Sequence, residues 1–153
     1  MADTSMRLRD IDAKPFALKL TDNGDGTYSV AVGGGGGGAA VGPSLTARLL
    51  SSAATTNGAV AKNAAAKLFN IQGKNNSATD KYLKLYNKAA APVVGTDVPV
   101  KTLVLPPGGF AFDFPNAYSF TTGLAYAITG AVADADATAI AAGDITGLNF
   151  DYV

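Results

Sequence analysis

The residues best equipped for chemistry are aspartates. Asp134 and Asp136 in "VADADATAIAAGD", with Asp144 closing the stretch, offer the oxygen ligands that a hard cation takes. A pair of carboxylates is also the machinery of glycoside hydrolysis. However, two acids two residues apart in one loop show no sign of facing each other across a cleft, and neither ligand number nor spacing suits a cation. Their expected use is to cap turns in a solvated loop, with no metal bound. A second acidic group, Asp22-Asn23-Gly24-Asp25-Gly26, has the flavour of a calcium loop but lacks its terminal Glu. It reads instead as a tight turn, dense in residues that accept positive φ.

Other candidates fare no better. Lys81, Lys84 and Lys88 alternate with Tyr82 and Tyr86 in a pattern that suits base or sugar stacking, yet it also describes the outer face of any amphipathic strand. The latter is the expectation. Residues 33–38 are six consecutive glycines, but no Lys-Ser/Thr follows them and Pro43 comes soon after, so they do not form a phosphate loop. The chain has no His and no Cys, which removes histidine base catalysis, thiol nucleophiles, structural zinc and disulfides. Ser and Thr are plentiful, but no partner is evident to activate one. The expectation is a protein that is not an enzyme, with no catalytic residue, no cofactor and no small-molecule substrate.

Composition narrows the class. The 153 residues are 48% hydrophobic and 16% charged, enough for a real core. Twelve basic residues balance twelve acidic ones, so the basic surplus of a nucleic-acid clamp is missing. No apolar run approaches a membrane span, and "MADTSMRLRD" lacks the apolar core of a signal peptide. Neither nucleic acid nor membrane is therefore an expected partner. Every acidic residue is Asp, which prefers turns and caps, and none is the helix-favouring Glu. This points to an all-β fold with elaborate loops.

Four regions follow. Residues 1–15 carry charge without pattern and read as an arm. Residues 16–32 form a β-hairpin: Phe16, Leu18 and Leu20 alternate on one strand, and Tyr28, Val30 and Val32 on the other. A lone hairpin is marginal in water, so it must lie on something else. Residues 33–43 form a glycine-rich linker; fully extended, it spans roughly 36–40 Å. Residues 44–153 hold about eight short strands with turns between them, in "SLTARLLSS", near 58–62 and 66–73, in "DKYLKLYNK", then in "VKTLVLP", "FAFDFP", "GLAYAITG" and "ITGLNFDYV". The break between the second and third strands leaves room for a short helical turn at Asn63–Ala66, and an Asn-Ala-Tyr corner interrupts the later strands. Such a run predicts a jelly-roll-like β-sandwich.

Three stretches of this region carry a resemblance: "YLKLYNKA" at 82–89, "P-x-x-G-T-D-x-P" at 92–99 and "GLAYAITGAVADADAT" at 123–138. They resemble β-sandwich virion proteins of tailed bacteriophages, and the hairpin at 17–32 is similar to a short module near the start of phage structural proteins. The resemblance covers a little over half the chain. It implies a non-enzymatic protein present in many copies on the capsid surface of a phage particle, after synthesis in the host cytoplasm. A capsid decoration (cement) protein fits first and a head fibre, spike or tail component second. A carbohydrate- or calcium-binding receptor module is the reading from a different class. The implied partner is the major capsid protein, with the decoration protein itself a homotrimer. Arg7 and Arg9 of the arm, with Phe16, Leu18, Leu20, Tyr28 and Val30 of the hairpin, are the expected interface, joined to a neighbour by strand addition and apolar burial.

Overall fold

The structure is a computed structural model that describes residues 19–22 and 28–31 as backbone and residues 45–153 in full. The chain divides into two compact units, Met1–Ala40 and Val41–Val153. In the first, β1 (Lys19–Asp22) pairs antiparallel with β2 (Tyr28–Ala31), with Leu20 opposite Val30 and Asp22 opposite Tyr28. This is the pairing expected of the hairpin. The turn between the strands, the arm with Arg7 and Arg9, Phe16, Leu18 and the glycine linker lie outside the described residues.

The second unit contains eight strands: β3 (Leu45–Ser51), β4 (Ala59–Lys62), β5 (Ala66–Asn75), β6 (Lys81–Asn87), β7 (Lys101–Leu105), β8 (Gly108–Phe120), β9 (Leu124–Thr129) and β10 (Ile145–Tyr152). They form two four-stranded antiparallel sheets, ordered β3-β10-β5-β8 and β4-β9-β6-β7. The first strand pairs with the last, the second with the next to last, and so inward to β6 with β7. Successive pairs fall on alternate sheets. That is a long antiparallel ribbon rolled once around a core, the jelly roll expected from the sequence.

Alternation puts one face of each sheet inside. Leu83 and Leu85 of β6, Leu124 and Ile128 of β9, Leu68 and Ile71 of β5, and Leu148 and Phe150 of β10 are all fully buried in one core. Each such side chain contributes about 1.5–3 kcal/mol relative to exposure. The sheets are tied together where the Tyr126 and Phe150 rings meet at 4.6 Å between centroids and where the Tyr152 hydroxyl donates to the Ala61 carbonyl at 2.8 Å. Within the first sheet Gly73 makes room for its neighbours on β8 and β10, since a Cβ there would stand 2.8 Å from the Phe110 ring and 3.2 Å from Leu148 Cα.

Two local expectations are corrected. No helical turn occupies Asn63–Ala66: the chain bends at 63–64 and enters β5 at Ala66, whose side chain belongs to the core. The Asn-Ala-Tyr corner does not end a strand either. β8 runs through it for 13 residues, and the register jumps from Asn70 opposite Asp113 to Leu68 opposite Tyr118. Residues 114–117 bulge out against Phe69, with Ala117 at a φ of 53°.

Candidate interaction surface

The outer face of the β4-β9-β6-β7 sheet is where the structure departs most from the sequence reading. Strand periodicity turns Tyr82, Lys84 and Tyr86 away from the core, but Lys84 is 0% exposed and Tyr86 only 2%. The basic–aromatic outer face is therefore not formed. All six residues of β9 are buried, those on its outer side being Ala125, Ala127 and Thr129. Small side chains there leave room for chain to lie on the sheet, and loop chain does so.

The first covering segment is 130–138. The Lys84 ammonium donates to the carbonyls of Ala133 at 2.6 Å, Asp136 at 2.9 Å and Asp134 at 3.2 Å, so each of its three N–H groups has an acceptor. Burial lowers its pKa from the usual lysine value, and the nearby charges of Asp136 and Asp134 pull back in the other direction. The Asp136 carboxylate accepts from Thr138 Oγ1 at 2.6 Å and from the Ala131 amide at 3.0 Å. These bonds, the Thr138 one foremost, hold its pKa below the ordinary aspartate value.

The second covering segment is 88–100. The Asp97 carboxylate accepts from the Lys88 ammonium and from the Val93 amide, the latter at 2.7 Å, and the Thr96 and Asp97 amides both donate to the Val93 carbonyl. The bond from Lys88 is the main reason Asp97 has a lowered pKa. Gly95, at a φ of 88°, turns this loop against the other: a Cβ there would lie 3.2 Å from the Ala135 carbonyl and 3.3 Å from Ala137 Cβ. Beneath, Tyr86 packs with Ala125, Ala127, Val60 and Val94. Its hydroxyl is buried without a hydrogen-bond partner among the described residues. Burial above all, with Asp97 and Asp134 near, raises its pKa.

The result is a braced cap that carries exposed valines among polar residues, Thr96, Asp134 and Thr138. Val93 and Val98 on one loop and Val132 on the other are 58%, 74% and 57% exposed, and Val100 and Val104, beside and on edge strand β7, are 46% and 44% exposed. Exposed apolar side chains mark an interaction surface where they join into one patch. Sequence reasoning missed these valines, although "PVVGTDVPV" already showed apolar residues in a Pro- and Gly-bounded loop with no periodicity to bury them. Of the residues expected at an interface, Leu20, Tyr28 and Val30 fall within the β1–β2 hairpin, and the rest lie outside the described residues.

The aspartates of "VADADATAIAAGD" go separate ways. Asp144 accepts from the Ala141 amide and pairs with Lys81 at 3.3 Å, while Asp136 is spent inside its own loop. Among the described residues no three acidic groups converge as metal ligands. A shallow hollow of about 480 Å³ on the opposite sheet, between Gln72, Asn149 and Phe110, carries no charged group in its lining.

The three stretches that carry the phage resemblance come together in the cap. "YLKLYNKA" is β6 with the start of segment 88–100, "P-x-x-G-T-D-x-P" lies within that segment, and "GLAYAITGAVADADAT" is β9 with segment 130–138. No family model, no curated protein and no solved structure matches the chain.

Proposed function

We propose that this protein is a structural component of a tailed-bacteriophage particle, most simply a capsid decoration protein that bridges major capsid subunits, itself trimeric and without catalytic activity. The observation that carries the reading is the cap: three stretches, separated in sequence and alike in their phage resemblance, build one hydrogen-bonded surface on which Val93, Val98 and Val132 stand exposed beside Thr96, Asp134 and Thr138. Valines exposed on loops held by their own hydrogen bonds favour binding to protein, since little ordering is lost on contact. The jelly-roll topology supports the same reading as an architecture that capsid proteins use. The hairpin supplies a second means of attachment, by adding its strands to a neighbour's open edge.

The experiment is quantification of the chain in purified particles by mass spectrometry, scaled to the major capsid protein. Copies in fixed proportion to the shell support decoration. A handful per particle reassigns the protein to a fibre, spike or tail, and absence from particles overturns the reading.

A further inference from the structure

Each four-stranded sheet has two outer strands, and three of these four carry a device that discourages pairing with another chain. β4 has only four residues, and its register with β9 shifts between Val60 and Lys62. β7 has five, begins on Lys101 and is bracketed by Pro99 and Pro106. β8 is broken by Pro115 and by the bulge at 114–117. Short length, lysine, proline and bulges are how natural edge strands avoid joining a neighbour's sheet.

β3 is the exception. It has seven residues with neither proline nor glycine, and it lies against β10 without a register shift, from Leu45 opposite Tyr152 to Ser51 opposite Thr146. Arg48 is its one charge, while Leu45 and Leu50, toward its two ends, are each more than half exposed. Among the described residues no strand pairs with its other side. An apolar edge of this length, with backbone donors and acceptors unclaimed, is a template for strand addition.

The same chain supplies a sheet that needs a host. The β1–β2 hairpin has two strands of four residues each, which is marginal in water by itself. A hairpin built for the β3 of its own chain would need a turn of only about two to five residues between β2 and β3. Residues 32–44 stand there instead, with six consecutive glycines among them. Fully extended, residues 33–43 alone span roughly 36–40 Å, a reach that suits a neighbouring molecule.

We propose that the β1–β2 hairpin of one copy adds to the open edge of β3 on the next copy, extending the β3-β10-β5-β8 sheet to six strands. The two surfaces joined are different, so the contact is head-to-tail and closes into a ring. That the ring has three members rests on the proposed function; the contact itself rests on the edge and the hairpin.

Sedimentation velocity of the full-length chain in free solution, with no particles present, is the test. The unaltered chain should sediment as a closed oligomer. Leu45→Lys with Leu50→Lys puts charge on the edge, and Leu20→Pro with Val30→Pro breaks the hairpin at a facing pair. Each double variant should sediment as a monomer. Mixed in equal amounts, the two should form a dimer, because one keeps its hairpin and the other its edge. An unaltered chain that stays monomeric would overturn the proposal. So would an oligomer that survives the broken hairpin, as β3 paired with β3 would, or a mixture that remains monomeric. If the lysine variant does not fold, the broken-hairpin chain decides, and its persistence as an oligomer contradicts the contact. A chain that is monomeric in solution yet counted in fixed proportion on particles removes this contact and leaves the proposed function standing; an oligomer absent from particles does the reverse.

Discussion

Gly95 and Ala135 touch across two loops that lie 40 residues apart in the chain: the glycine's missing Cβ would stand 3.2 Å from the Ala135 carbonyl. The contact needs both a positive φ, 88° here, and the absence of a side chain. Neither loop covers the sheet alone; together they do.

Gly95→Ala should therefore destabilise the second unit by about 1–3 kcal/mol, the cost of holding a non-glycine residue in a sparsely populated backbone region. Urea unfolding with an unchanged slope and a lower midpoint is the expected observation.

Acid should loosen both loops in step. Asp97 and Asp136 each have a pKa below the ordinary 3.8, set chiefly by Lys88 and by Thr138 respectively. A carboxylate with a lowered folded-state pKa stabilises the fold at pH above its unfolded value and loses that contribution as pH falls through the lowered one. Amide exchange at Ala131 and Val93, whose N–H groups donate to these carboxylates, should gain protection-free character below about pH 4. The β6–β9 ladder should remain protected. Exchange that responds at neither amide would contradict the assignment.

Asn75 is 1% exposed and spends its whole side chain: Nδ2 donates to the Leu105 carbonyl at 2.8 Å and the Thr79 carbonyl at 2.9 Å, and Oδ1 accepts from the Ser77 amide and hydroxyl. It locks the β5–β6 connection to the end of β7. Asn75→Ala should cost about 1–3 kcal/mol, because the buried Leu105 carbonyl is left without its donor. Thermal unfolding checks this, with Asn76→Ala, whose side-chain bonds are exposed, as the milder comparison.

The fold was largely legible because period-2 alternation is strong: "DKYLKLYNK" alone places Leu83 and Leu85 in the core. Alternation names two faces, however, and not what covers the second. Lys84 and Tyr86 read as solvent-facing because the sequence does not reveal that segments from 88–100 and 130–138 fold back over them. That information is long-range, carried by the carbonyls of Ala133, Asp134 and Asp136, which belong to no side-chain pattern. The bulge at 114–117 was illegible for a related reason. Pro115 signals an interruption, but only the partner strand decides whether the chain turns or continues.

On the proposed reading, the protein holds its neighbours by apolar contact. With zero formal net charge, steering by charge is weak, and exposed ion pairs are worth only about 0–1 kcal/mol. The direct measurement is retention of the full-length chain on purified particles after sedimentation, comparing low salt with about 1 M salt, where the screening length is roughly 3 Å. Val98→Asp with Val132→Asp, and separately Phe16→Ala with Leu18→Ala, should each reduce retention, while salt leaves the unaltered chain bound. Release by salt, with both double variants still bound, would contradict the account.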